Sequence, residues 1–357
     1  MPTNTIISAV GSYLPKKIMP NSAFENNTFY KKDGEKIEKE GSAVLAKLEQ
    51  ISGIRERRFI EDDHDTVELA ALAGTKALED AGMTGEELDG IIVAHDVGNL
   101  VHGTPFANTV PNLAAIVKKR LNISNHKCSA FDIMFGCPGW LEGVILAHQR
   151  IQCGMANHIL VIGVEVVSRR MDPHDLDSML FGDGAGATVI SADKSSEGRG
   201  ILYAETWSHC NTDETEYIKL GPSNNEEFRD GLYVKMLGRM VYRYATTKVP
   251  DLILTCLDKA NLKVADVDKF VLHQANEKML IVMGQRLFGN DVDPKILEEK
   301  IPMTLHTLGN TSVATIPTLL DLMDKGKQGN HKINEGDLVV MASVGAGMHA
   351  NCVIYRA

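Results

Sequence analysis

The chain repeats itself. Leu78-Glu-Asp-Ala-Gly-Met and the following Leu88-Asp-Gly-Ile-Ile-Val-Ala94 are matched without a gap by Leu257-Asp-Lys-Ala-Asn-Leu and Val267-Asp-Lys-Phe-Val-Leu-His273, 179 residues further on. That offset is about half of the 357 residues. A second echo sets Gly184-Ala-Gly-Ala before one apolar strand against Gly345-Ala-Gly-Met before another. The first copy reads as an amphipathic helix over residues 66–82, with Val67, Leu69, Ala70, Ala73, Ala77 and Leu78 near one face and Gly82 as its stop. A buried strand, Leu88 to Ala94, follows. A duplicated helix-and-strand unit constrains the chain to two similar α/β halves, residues 1–190 and 191–357. The length agrees, since one hydrophobic core rarely grows this far.

Composition narrows the class. With 44% hydrophobic and 24% charged residues the chain is an ordinary globular one. No apolar run is long enough to span a membrane, and the start lacks the basic and apolar regions of a signal peptide. The six cysteines show no CxxC spacing, so neither a disulfide framework nor a metal site is indicated, and a reducing cytoplasmic setting is expected. A formal charge of −10 argues against nucleic acid as a partner. Ile51-Ser-Gly-Ile-Arg-Glu-Arg-Arg-Phe59 looks basic, but Glu61-Asp62-Asp63 follows at once.

Between the repeats several segments are read individually. Ile6 to Val10 is a first strand, with Gly11 to Pro15 as its turn. Residues 31–40 are a solvated excursion of mixed charge. Gly182-Asp-Gly-Ala-Gly-Ala187 has neither the spacing nor the following helix of a phosphate loop, and is read as a tightly packed turn. Residues 207–231 are polar and turn-rich, a surface loop placed over a substrate opening.

Three stretches carry chemistry. In the first, a short apolar run over residues 127–135 leads through Gly136-Cys137-Pro138 into a helical pattern of Leu141, Val144, Ile145, Ala147, His148 and Ile151. Cys137 therefore stands at a strand-to-helix corner, with Pro138 suited to the first helical position. There the unpaired N–H groups and the helix dipole favour a thiolate. The second is His273-Gln-Ala-Asn276, polar residues directly after the buried strand Lys269–Leu272, where α/β folds place their sites. The third is the small-residue turn Gly309-Asn-Thr-Ser-Val-Ala-Thr-Ile-Pro317. Taken singly, a buried cysteine, a structural histidine and a turn asparagine would account for them.

Together they carry a family resemblance. The chain resembles β-ketoacyl-acyl-carrier-protein synthase III, within the thiolase superfamily, over essentially its whole length. The matching stretches, in order, begin with Ile51-Ser-Gly-Ile-Arg-Glu-Arg-Arg, Ala130-Phe-Asp before the cysteine corner, and Phe181-Gly-Asp-Gly-Ala-Gly-Ala. Met236-x-Gly-Arg-x-Val-Tyr, His273-Gln-Ala-Asn and Gly309-Asn-Thr-Ser complete them. The resemblance implies a five-layer αβαβα fold, a homodimer, and a catalytic set of Cys137, His273 and Asn310. It implies an acyl group on Cys137 and an oxyanion held by the backbone amides of Cys137 and Ala346. A malonyl or β-ketoacyl thioester would then condense with it, His273 and Asn310 holding the enolate, with no metal or organic cofactor. Acyl carrier protein or coenzyme A thioesters are the implied partners.

The resemblance also implies a substrate tunnel touched by Phe106, Val110 and Val344, and carrier-protein docking by Arg243, Lys278 and Arg286. Here the chain departs from the family pattern. Gly136-Cys-Pro-Gly-Trp140 stands for the usual Ala-Cys-Ala-Gly-Phe, and Val344 for a family aromatic. The residues that clamp the adenine of coenzyme A align with Lys47 and Leu176. Related enzymes join two longer acyl chains head to head, as in dialkylresorcinol or olefin synthesis, and that is the alternative reading. One that makes hydroxymethylglutaryl-CoA relies on an added glutamate that the sequence does not place. A non-catalytic acyl-binding homologue would be expected to have lost one of the three residues, and none is lost.

Overall fold

In the computed structural model, which describes residues 4–104, 106–194, 198–228 and 231–357, the first half of the chain lays down a five-stranded sheet. Its strands are β1 (Asn4–Tyr13), β2 (Gly90–Ala94), β3 (Ser129–Ile133), β4 (His158–Glu165) and β5 (Gly184–Asp193). They lie in the order β1-β5-β4-β2-β3. β4, β2 and β3 run parallel, and β5 and β1 pair antiparallel beside them. The second half builds β6 (Gly200–Ser208), β7 (Lys269–Leu272), β8 (Leu338–Gly345) and β9 (His349–Arg356), ordered β6-β9-β8-β7. That is the first order without its last strand. The sequence repeat is thus written twice in space, β2 and β7 taking equivalent places.

Helices fill three layers around the two sheets. The helices used below are α1 (Gly41–Ser52), α2 (Thr66–Ala81), α3 (Leu113–Arg120), α4 (Gly139–Gln152), α5 (Gly238–Lys259), α6 (Glu277–Phe288) and α7 (Thr315–Asp324). α2 is capped as its sequence demands: the Asp65 carboxylate accepts from the Glu68 N–H, and Gly82 closes the end in the left-handed region. Its apolar face packs with that of α3 on the outside of the first sheet, through Val67, Leu69, Ala70, Leu113 and Val117. α5 and α6 cover the outer face of the second sheet. α4 and α7 lie between the sheets, and their Trp140, Leu141, Val144, Ile316 and Leu319 share one core with Ile92 and Val161 of one sheet and Val339 and Met341 of the other. The five αβαβα layers follow from this arrangement.

Three readings are corrected. Gly11 to Pro15 and Gly182 to Ala187 are not both turns: Gly11, Ser12 and Tyr13 pair with Ala187, Gly186 and Ala185, so the two segments are the facing ends of one ladder. The glycine there serves packing, because a methyl on Gly186 would lie 2.7 Å from the N of Thr318. Within residues 207–231, Ile218–Gly221 is a strand, and it pairs with Tyr233–Met236 in a two-stranded sheet. Lys235 pins this sheet by ion pairs to Asp172 and Asp175. Arg57, in the stretch that looks basic, is buried and spends its guanidinium on Met19 O, Asn21 Oδ1 and Met179 O.

One of the tight approaches between the halves is at Gly163 of β4. A methyl group there would lie 2.4 Å from Val313 O and 3.0 Å from the Trp140 Cβ. Backbone cannot give way as a flexible side chain would, so Gly163→Ala is expected to destabilise by ~1–3 kcal/mol or more through overpacking. A thermal melt beside the unchanged protein checks it; an unaltered midpoint would contradict this account of the packing.

Candidate active site

The strand β3 ends at Ile133, and the chain turns through Gly136, whose φ of 64° lies in the left-handed region. α4 then starts at Gly139 with Pro138 as its N-cap, one position earlier than a first helical residue. Cys137 sits on this corner. A methyl on Gly136 would lie 2.6 Å from the Ala346 N, and one on Gly345 would lie 2.4 Å from the Cys137 N. Two glycines therefore let the two backbone segments touch, which brings the amides of Cys137 and Ala346 to one place.

The second half supplies the facing groups. His273 directly follows β7, its ring buried, with Nδ1 2.8 Å from Thr315 Oγ1. Burial lowers its pKa to about 4, so the imidazole is neutral near pH 7. Asn310 is pinned to the first half: its N–H donates to Leu180 O at 2.8 Å, and its C=O accepts from the Gly182 N–H at 3.0 Å. Its Oδ1 accepts from the Ser312 N–H at 2.8 Å, which leaves Nδ2 as the free donor.

Cys137, His273, Asn310, Val344 and Ala346 line one cavity of about 540 Å³. Its remaining wall is largely apolar, with Leu48, Ile51, Leu176, Phe181, Val234 and Met236, plus the charged Asp177 and Arg239. Phe106 and Val110 do not line it in their own chain; they stand 77% and 81% exposed on a surface loop. Arg243, Lys278 and Arg286 are exposed on α5 and α6. Each of the first two neighbours a residue that does line the cavity, Tyr242 and Met279. Among the described residues, no group of three or more metal-ligating side chains is present.

The charge state of Cys137 departs from the sequence reading. The helix end alone would favour thiolate, but burial and the nearby Asp96 carboxylate push the thiol well above its ordinary value, against a lowering contact from Ser312. At rest the group is a thiol. Asp96 itself lines the cavity, and its backbone N–H donates to Glu165 Oε2 at 2.9 Å. Burial raises the pKa of Asp96, and burial together with Asp96's charge raises that of Glu165.

Sequence reasoning missed Asp96, Glu165 and Thr315. A signal for Asp96 was present: His95-Asp96 follows the buried strand β2 as His273-Gln274 follows its duplicate β7. The argument that singled out one strand end applies equally to the other.

Comparison with known proteins gives the geometry its family. Residues 131–209 match the family described as 3-oxoacyl-[acyl-carrier-protein (ACP)] synthase III, and residues 257–357 match its C-terminal part. The chain is 34% identical over 360 residues to beta-ketoacyl-[acyl-carrier-protein] synthase III of Cereibacter sphaeroides, covering 100% of both. The crystal structure of 3-oxoacyl-(acyl carrier protein) synthase III from Pseudomonas aeruginosa PAO1 aligns with a TM-score of 0.80 and 26% identity, over 99% of this chain and 98% of that one. OleA of Xanthomonas campestris, at 17% identity and a TM-score of 0.78 over 100% of both chains, shares the fold alone. On this likeness over its full length, the chain belongs to the 3-oxoacyl-[acyl-carrier-protein] synthase III family, acyltransferase-type condensing enzymes with the thiolase fold.

Proposed function

We propose that the chain carries an acyl group on Cys137 and condenses it with a malonyl thioester to give a β-ketoacyl product in fatty-acid biosynthesis. The observation that carries this is the convergence of Cys137, His273 and Asn310, from two halves of the chain, on one apolar cavity. In the first half-reaction the Cys137 sulfur attacks the acyl thioester. The amides of Cys137 and Ala346 receive the oxyanion, a role that fixed backbone donors perform without reorganisation. In the second, malonyl decarboxylation leaves an enolate whose oxygen takes hydrogen bonds from Asn310 Nδ2 and His273 Nε2. The Thr315 hydroxyl has one hydrogen and two acceptors within reach, Ser312 O at 3.0 Å and His273 Nδ1 at 2.8 Å. When it donates to Nδ1, the imidazole proton is left on Nε2, where the enolate needs it.

Mass spectrometry of the intact protein with a panel of acyl thioesters tests the reading. Cys137 should take up the acyl mass, and Cys137→Ala should take up none. His273→Ala and Asn310→Ala should acylate yet lose condensation by at least ~10²-fold, as loss of one aligned oxyanion donor does elsewhere. Equal loss of both half-reactions would assign these residues another role. Since burial disfavours the charged imidazole, the His273 ring in labelled protein should stay neutral by NMR as pH falls through 6, charging only near pH 4. A His273 resonance that titrates at 6 to 7 would remove the neutral-donor role.

A homodimer is part of the same proposal. Val101, Phe106 and Val110 expose apolar side chains on one loop, and Met134 exposes another just past β3. Asp132 of β3 accepts from the Leu113 and Ala114 amides at 2.7 Å each, tying the loop's end to that strand. Exposed apolar groups gathered in this way suit a partner surface better than water. On this reading Phe106 and Val110 enter the partner's tunnel and set acyl length. Phe106→Ala and Val110→Ala should therefore shift the acyl chain-length profile, measured by product mass, while an unchanged profile would sink the idea. The six free cysteines fit a reducing cytoplasm.

The acyl donor is proposed to be carrier-protein-bound. Lys47 offers no ring and Leu176 no charge where an adenine clamp would need them, and the cavity wall carries Asp177, whose pKa burial and Asp175 raise to about 6. Above pH 6 Asp177 is ionised and repels phosphate. An acidic carrier protein would dock on Arg243, Lys278 and Arg286. Charge reversal at Arg243 and Lys278 should slow turnover of carrier-protein thioesters, spare free CoA thioesters, and resemble the effect of added salt. Equal slowing of both donors would contradict the docking role.

A further inference from the structure

The resting thiol poses a problem that the residues around it answer. Ser312 Oγ lies 3.2 Å from Cys137 Sγ and 2.8 Å from Asp96 Oδ2. One hydroxyl therefore touches both the nucleophile and a carboxylate. It is held there firmly: Ser312 has a φ of 48°, unusual for a residue with a side chain, and its N–H is fixed by Asn310 Oδ1 at 2.8 Å. Asp96 is fixed through its backbone N–H, 2.9 Å from Glu165 Oε2. Its carboxyl group is also held by the Glu165 side chain and the Gly136 backbone. Two buried carboxyl groups, one of them a single hydroxyl away from a nucleophile, are an expensive arrangement for structure alone.

We propose that Ser312 and Asp96 form a proton relay that activates Cys137, a deepening of the function proposed above that rests on Cys137 being the acyl acceptor. Ser312 gives its hydroxyl hydrogen to Asp96 Oδ2 and takes the thiol hydrogen of Cys137. The net change is one S–H bond broken and one carboxyl O–H bond formed. The thiolate then forms a bond to the acyl carbonyl carbon, and the carrier's C–S bond breaks, its electron pair leaving with the sulfur. Asp96 returns the proton to that departing thiolate, so the enzyme ends acylated with Asp96 ionised again. The transfer reinforces itself. After burial, Asp96's charge is the next influence that holds the thiol protonated, and accepting the proton removes that charge. Ser312 touches the reacting sulfur; Asp96 acts through it; Glu165 positions Asp96.

The sign of one mutation separates the relay from simple electrostatics. If Asp96 only repelled the thiolate, Asp96→Asn would ease ionisation and speed acylation. With the relay, Asp96→Asn should slow transfer from an acyl thioester to Cys137 by about 10²-fold, the usual scale for a lost general base. Ser312→Ala should slow it similarly. The double variant should be no slower than either single one, since the two act as a unit. The readout is time-resolved intact-mass measurement on the full chain, with a thermal melt for each variant. Asp96→Ala tests the role independently of shape: added formate should restore part of the acylation rate by filling the vacated carboxylate site. Acylation by Asp96→Asn at or above the unchanged rate, or an Asp96→Ala variant that formate does not help, would overturn the relay. Failure of the unmodified protein to acylate at Cys137 would instead overturn the function on which it rests.

Discussion

Everything at the site depends on how closely two sheets can approach across one shared layer of helices. α4 belongs to the first half and α7 to the second, and both are sandwiched between the sheets. A helix held between two sheets needs apolar residues over most of its surface, and on α4 Trp140, Leu141, Val144, Ile145, Ala147 and Ile151 supply them while Gln149 faces outward. Where side chains would hold the halves apart, glycines remove them: Gly163 under Val313, and Gly136 and Gly345 at the cysteine corner. The cost of those glycines in chain entropy is recovered as position. Cys137 from one half is thereby set against Ser312 and Ala346 of the other.

The same contact settles the electrostatics. Residues from both halves close around the sulfur, and exclusion of water makes each nearby charge count for more. A helix end gives partial charges only at its unpaired amides, whereas burial and a full carboxylate act directly on the thiol. The stronger pair wins, and Cys137 rests protonated. His273 obeys the identical rule with the opposite outcome for the proton: burial strips the second proton and keeps the ring neutral, which makes it a hydrogen-bond donor rather than a cation.

Much of this was legible in the residues. The repeat at Leu78 to Ala94 and Leu257 to His273 gave two α/β units, and the two sheets carry equivalent strand orders. Cys137, His273 and Asn310 were singled out from strand ends and a small-residue turn, and the chain brings all three to one cavity. What escaped were features fixed only by long-range pairing. Gly11 to Tyr13 reads locally as the start of a turn, because the ladder that extends it lies more than 170 residues away at Ala185 to Ala187. The state of the Cys137 thiol was misread for a related reason: local sequence shows the helix that follows, but not the Asp96 that the fold brings beside it. Asp96 and Glu165 end different strands of one sheet, and no spacing between them in sequence announces their contact.

A cysteine that rests as a half-buried thiol has a chemical life outside turnover as well. Peroxides and disulfides react with the thiolate, so a sulfur held in its protonated form climbs the oxidation ladder slowly. Burial and the Asp96 carboxylate, which together raise the thiol, therefore act as a safeguard for the idle enzyme. Cys153 and Cys210, exposed on the surface, lack that shelter and meet oxidants first. On the proposed function, a nucleophile that rests protonated is also one that endures between encounters.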